Sequence, residues 1–285
     1  MLGRLLRPTN RRVRLLVGLL LAGLFCIQCT QTTEAFREES TVTAVNGQII
    51  GSQPEAVRRQ IDQLARTDHI SLLEMCKDNY EGRFQDYTCT FYKQERINGR
   101  LGKPQTIDVK FLEQPFSVAM AWTENPPIGD RVLYVEGAND GKMMVRPASG
   151  FLRALVGGKV LRQPDDPEAM KNTLRPVNMF GFHRGLENLL EVYKEAKDAG
   201  DLEEKFGGYY QVEGRNTVKL IRYLPPKKDY PAWQTDVYID MELLVPIRID
   251  GYDWDKQLSC TYIYKDIRLN VGLSEADFLP SANGM

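Results

Sequence analysis

"DYTCTFYKQERINGRLGKPQTIDVKFLEQPFSVAMAWTE", Asp86–Glu124, is the stretch that decides the fold class. Tyr87, Cys89 and Phe91 alternate with polar residues, and Ile107, Val109 and Phe111 do so again after Asn98-Gly99. Successive side chains of a strand point to opposite sides, so this alternation predicts strands with one buried face. Asn-Gly tolerates positive φ at both positions and is a strong hairpin signal. Pro115 then punctuates, and Phe116, Val118, Met120 and Trp122 form one face of a further strand. The other face carries Ser117, Ala119, Ala121 and Thr123, small residues suited to an outer surface. Trp122 is therefore expected on the concave side of the sheet these strands build.

Downstream, Arg131–Gly137 and Lys142–Arg146 read as another hairpin. Strands are also expected at Tyr209–Glu213, Val218–Leu224, Thr235–Met241, Pro246–Tyr252 and Leu258–Leu269. Upstream, Ser52 with Glu55 forms a capping box, with Pro54 in the first turn. Val57, Ile61 and Leu64, then Leu72, Leu73 and Cys76, predict two helices or one kinked helix over 53–81. Between the strand sets, "SGFLRALVGGKVL" is apolar and bracketed by glycines, and Asp166-Pro167 opens a short helix. Leu186, Leu189, Leu190 and Tyr193 mark an amphipathic helix over 184–198, ended by Gly200. The expected fold class is α+β: a strongly curved antiparallel sheet, a half-barrel of about nine to eleven strands, with helices on the concave face. One domain is expected over 52–282, with a helical insertion at about 148–207.

The last strand has an elaborate stop. Asn270 and Gly272 turn the chain, Ser274 and Asp277 form a capping-box variant, and Leu273 and Phe278 sit at staple spacing. In an open half-barrel the last strand reads as an exposed edge, which this stapled turn would protect.

The N-terminus carries Arg4, Arg7, Arg11, Arg12 and Arg14, then an apolar run from Leu15 to Ile27, too short for a stable membrane anchor. Thr33 and Ala35 suit cleavage after Ala35. The expectation is an export signal over 1–35, a flexible linker over 36–51, and a periplasmic or otherwise exported protein without a stable membrane span. Removing the signal leaves about 250 residues, enough for one large core, with a net charge of about −5. Such a balance argues against nucleic acid and anionic lipid surfaces as partners. Three cysteines remain: an oxidising compartment allows one disulfide, for which Cys76 and Cys89 form the local pair, and three buried thiols is the other reading.

No reaction is named by any motif. His69 and His183 are the only histidines and read as solvated or capping residues near helix starts. Gly157-Gly158-Lys159 lacks the first glycine and the Ser or Thr of a phosphate loop. Asp250, Asp253 and Asp255 do not match a calcium loop, and Asp250-Gly251 suits a strand-end turn. No cofactor, metal or catalytic residue is assigned, and no enzyme is expected. A curved sheet under few helices leaves apolar volume, so an apolar cavity is weighed against a filled core. Its expected lining is Phe111, Val118, Met120 and Trp122 from the strands, with Phe151 and Leu155 from a lid or one more core helix.

"FYKQERINGR", "VKFLEQPFSVAMAW" and "YIYKDIRLNVGLSEADF" resemble an uncharacterised secreted bacterial domain family of unknown function. Its layout is in turn similar to the outer-membrane lipoprotein-sorting carriers, the LolA/LolB-like superfamily, and to periplasmic stress sensors of the same fold. Phe91, Gln94, Gly99, Pro115, Phe116 and Trp122 carry the likeness to the carriers. The resemblance covers about residues 85–280 and implies a half-barrel holding an acyl chain between sheet and helices. This chain departs by its longer insertion, and the arginine that latches the carriers' lid is not assigned to a position in it. The expected function is a non-catalytic envelope protein whose partner is a lipid or a lipoprotein acyl chain. The alternative is an envelope sensor or interaction module that docks on another envelope protein.

Overall fold

The computed structural model describes residues 42–44, 53–227 and 229–285. The expected export signal and its cleavage point lie outside the described residues, as does the linker except for Val42–Ala44. Those three residues form strand β1, so the segment expected to be loose contributes to the sheet. Two helices follow, α1 (Glu55–Thr67) and α2 (His69–Glu81). They separate at Asp68, whose carboxylate accepts the Ser71 backbone N–H and caps α2. The strands β2 (Asp86–Ile97), β3 (Arg100–Leu101), β4 (Gln105–Leu112), β5 (Ser117–Glu124), β6 (Gly129–Val135) and β7 (Met143–Pro147) come next. Asn98 and Gly99 both take positive φ, 50° and 77°, and close the β2–β3 turn.

The insertion holds α3 (Gly150–Leu155), β8 (Val160–Arg162), α4 (Pro167–Met170) and α5 (Phe182–Asp198). The chain finishes with β9 (Glu203–Val212), β10 (Arg215–Tyr223), β11 (Gln234–Asp240), β12 (Pro246–Tyr252) and β13 (Leu258–Leu269). Two short 3-10 turns, Glu275–Phe278 and Ser281–Asn283, end it.

Among the described residues all the strands pair antiparallel in one 13-stranded sheet, ordered β1-β9-β10-β11-β12-β13-β2-β4-β5-β6-β7-β8, with β3 beside β2. The class is the expected α+β half-barrel, with more strands than the alternation alone indicated. The additions are short: β1 from the expected linker, β3 from the far arm of the Asn-Gly hairpin, and β8 from the insertion.

The last strand is not an edge. β13 lies between β12 and β2 and joins two meanders, with Tyr264 opposite Phe91 and Tyr262 opposite Lys93. Both are 12-residue strands, the longest among the described residues, and their pairing joins the two meanders through backbone hydrogen bonds. The capping box at Ser274 and Asp277 is present. It seats Phe278, only 3% exposed, on the outer face of the sheet against Leu112, Ala119 and Leu133. The small residues of β5 therefore serve as a bed for the C-terminal segment, not as bare surface.

On the concave side, α1, α2 and α5 bury Ile61, Leu72, Leu73, Leu186 and Tyr193 against Val218, Leu220, Val237 and Ile239. An aromatic cluster fills the middle: Phe111 packs face to face with Tyr87 at 4.7 Å and edge-on to Phe116 at 5.2 Å. Gly181, before α5, has φ 108°, and a Cβ there would lie 2.8 Å from the Phe111 ring. Only glycine lets the chain pass so near. Cys76 belongs to the helix-side core and Cys89 to the aromatic cluster, and both are free buried thiols. The disulfide reading is thus corrected: the two face different clusters, and burial pushes both thiol pKa values up.

Candidate functional site

The helices leave part of the concave face uncovered. There β2, β4–β8 and the ends of β10–β13 face α5 and the irregular segment 164–181 across a cavity of about 630 Å³. Register explains why one wall is apolar. Trp122 stands opposite Ile107, Met120 opposite Val109 and Val132, Val132 opposite Val145, and Val145 opposite Val160. A single row of side chains therefore crosses five strands on one face. Trp122 is half-buried and its Nε1–H donates to Gln105 Oε1 at 2.7 Å, fixing the indole at the cavity wall.

Of the residues expected to line a cavity, the structure brings Met120 and Trp122 to it. Phe111 and Val118, both at most 1% exposed, lie in the filled aromatic core. They share the face of Met120 and Trp122, but the space around the Phe111 ring is taken by the rings of Tyr87, Phe116 and Phe180. Phe151 and Leu155 are 77% and 72% exposed on α3 and do not line the cavity. The wall expected from α3 comes instead from 164–181, including Ala169, Val177 and Phe180. That segment has no periodicity to betray it: it holds one turn of helix, loops and a 3-10 turn.

Polar groups converge on the cavity at two places. On one wall, Lys93 Nζ donates to Glu95 Oε2 at 3.0 Å and to Thr173 Oγ1 at 3.0 Å. The Tyr262 hydroxyl donates to Glu95 Oε1 at 2.6 Å, and the Leu174 N–H reaches the same oxygen at 3.3 Å. These contacts give both members of the buried ion pair hydrogen-bond partners and tie the insertion to β2 and β13. At the second place Arg222, 2% exposed, lines the cavity beside Thr235. Its Nη2–H donates to Thr235 Oγ1 at 3.0 Å, and its guanidinium carbon lies 4.8 Å from the Tyr193 ring centre. Among the described residues its Nε and Nη1 have no hydrogen-bond partner.

The histidines and the aspartate cluster stand elsewhere. His69 is 1% exposed, not solvated: Nε2 lies 3.0 Å from the Ala65 carbonyl and Nδ1 3.4 Å from the Tyr193 hydroxyl. His183 Nε2 lies 2.7 Å from Glu81 Oε1. Asp250 and Gly251 still belong to β12, which ends one residue later at Tyr252, and Asp250 accepts from Arg248 Nε at 2.8 Å and Thr261 Oγ1 at 2.9 Å. Burial pushes the Asp250 carboxyl above the usual carboxylate range. Among the described residues no group of three or more His, Cys, Asp or Glu is placed to hold a metal ion. No helix among them is long and apolar enough to cross a membrane.

Residues 84–284 match the family model of DUF1571, proteins of unknown function. The chain belongs to the DUF1571 family. No curated protein matches it. Among solved structures, this DUF1571 chain is similar to a DUF1329 family protein from Desulfovibrio piger, at 13% identity and TM-score 0.39, with 75% of this chain and 96% of that one covered. It is also similar to the Pseudomonas aeruginosa MucB of a MucA/MucB complex, at 13% identity and TM-score 0.44, covering 76% of this chain and 62% of that chain. A third likeness is to the Mycobacterium tuberculosis lipoprotein LppX, at 12% identity and TM-score 0.42, covering 72% and 96%. It is similar as well to a LolA superfamily protein from Nitrosomonas europaea, at 9% identity and TM-score 0.31, with 74% of this chain and 97% of that one covered.

Proposed function

We propose that this DUF1571 protein binds an apolar ligand, a lipid or a lipoprotein's acyl chain, in the concavity of its sheet, without catalysing a reaction on it. The carrying observation is the cavity of about 630 Å³ walled by Ile107, Met120, Trp122, Val132, Val145 and Val160. Binding by burial contributes about 0.8 kcal/mol per methylene, so an acyl chain of ordinary length is held tightly without directed polar contacts along it. The role is that of an exported protein with the leader and linker expected at 1–51. Native mass spectrometry of gently purified protein tests the reading. A co-purifying lipid mass, displaced by added fatty acid, supports it; a clean unliganded mass that fatty acid never shifts overturns it.

One observation favours a second reading, an envelope interaction module. Phe151, Leu152, Leu155 and Val156 are all at least 40% exposed on and beside the short helix α3. Exposed apolar groups clustered like this suit a protein partner. Cross-linking in cells with a photoreactive residue at position 151 separates the readings: a specific protein adduct supports docking, and its absence leaves α3 without a partner.

A further inference from the structure

Arg222 stands out among the residues of the cavity. Val218, Leu220 and Arg222 share the concave face of β10, so an arginine occupies the third position of an otherwise apolar row. A buried guanidinium has five N–H donors and needs acceptors for them. Thr235 supplies one and Tyr193 offers its ring, while Nε and Nη1 remain without a partner among the described residues. Among the described residues no carboxylate forms an ion pair with it. The acids that line the cavity are engaged elsewhere, Glu95 with Lys93 and Tyr262, and Glu168 with Lys171 at 2.5 Å. Arg175 lines the same cavity, donates to Asn188 Oδ1 at 2.9 Å, and lies close enough to Arg222 to add positive potential there. Burial itself depresses the Arg222 pKa, so the site holds a desolvated cation without its counter-charge.

From this geometry we infer that the cavity takes an amphiphile with an anionic head, a carboxylate or phosphate, that pairs with Arg222 while its chain runs along the apolar wall. The inference rests on the apolar-ligand reading and adds the head group and the direction. Sheet order sets that direction: Arg222 and Thr235 are on β10 and β11, whereas Val132, Val145 and Val160 are toward the opposite edge on β6, β7 and β8. A guanidinium fork suits the two oxygens of such a head, and charge-assisted bonds of this kind are stronger in a site shielded from water.

The test titrates purified protein with fluorescent parinaric acid and with its uncharged methyl ester, for wild type and Arg222→Met. The acid binds wild type about tenfold or more tighter than the ester, and in Arg222→Met the two bind within about twofold of each other. Inorganic phosphate at millimolar concentration does not displace the acid, because a head without a chain buries nothing. Equal binding of acid and ester to wild type overturns the head-group inference while leaving the apolar cavity standing. Failure of both probes to bind overturns the cavity reading itself. Displacement by phosphate alone makes this a free-anion site and overturns the amphiphile. Should Arg222→Met lose its cooperative unfolding transition, the wild-type ratio of acid to ester decides by itself.

Discussion

The carboxylate of Asp86, at the start of β2, accepts the backbone N–H of Val271 at 2.7 Å and of Gly272 at 3.1 Å, just past the end of β13. Asn270, at φ 52°, completes the clasp: its side chain accepts the Gln85 N–H at 2.9 Å and donates to the Arg83 carbonyl at 2.7 Å. The two central strands are thus locked at the point where the two meanders meet.

Removing that lock has a defined cost. Asp86 is 6% exposed, so Asp86→Ala leaves two N–H donors without their charged acceptor and destabilises the fold by about 2–3 kcal/mol. Urea unfolding measures it. A midpoint unchanged from wild type would mean that water replaces the carboxylate at no loss.

Phe111 and Trp122 share one face of neighbouring strands but have different surroundings. Phe111→Ala removes a ring packed on all sides and costs about 3–5 kcal/mol. Trp122 already borders empty volume, so Trp122→Ala costs about 1–2 kcal/mol while changing the affinity for a fluorescent fatty acid. Equal losses for the two variants would show the cavity to be filled core.

Stability falls on the acid side of neutrality because of His69. With Nε2–H donating to Ala65 and Nδ1 accepting from Tyr193, the neutral ring is satisfied, and burial lowers its pKa to about 4. That burial outweighs the Ala65 carbonyl and the Asp68 carboxylate, which favour the charged ring. The unfolded chain, whose histidine has its ordinary pKa near 6.5, takes up the proton first. Stability from this site is complete above about pH 6.5 and is lost down to about pH 4, by about 3 kcal/mol in all. Thermal unfolding across that window, run beside His69→Gln, checks it: the variant has a shallower slope, and parallel slopes would contradict the assignment.

The exposed helix α3 contributes little to folding. Phe151→Ser with Leu155→Ser changes stability by less than about 0.5 kcal/mol, because both side chains are already in water. A loss of several kcal/mol in urea unfolding would place α3 in the core.

Much of this was legible from period-two alternation. It placed Met120 and Trp122 on the concave face, because the residues between them are small and the sidedness of β5 is unambiguous. It also found the Ser274–Asp277 capping box. Alternation says which face a side chain takes, not what stands opposite, so Phe111 and Val118 could not be told from Met120 and Trp122. Strand order was hidden for a similar reason, since the clasp at Asp86 pairs residues far apart in sequence and left β13 looking like an edge. His69 reads as a solvated or capping histidine until Tyr193 of α5 is laid over it. Arg222 did leave a signal, the third place in the row Val218, Leu220, Arg222, and a charge on an apolar stripe is the pattern that reveals it.

The central claim, that an acyl chain occupies the space beside Trp122, is tested most directly by energy transfer. In a Trp233→Phe, Trp254→Phe background Trp122 is the sole indole. Added parinaric acid is expected to quench its emission, saturating at one equivalent, with the polyene's own emission rising in step. Trp122 emission that stays constant through the titration, in protein shown to unfold cooperatively, would contradict the account.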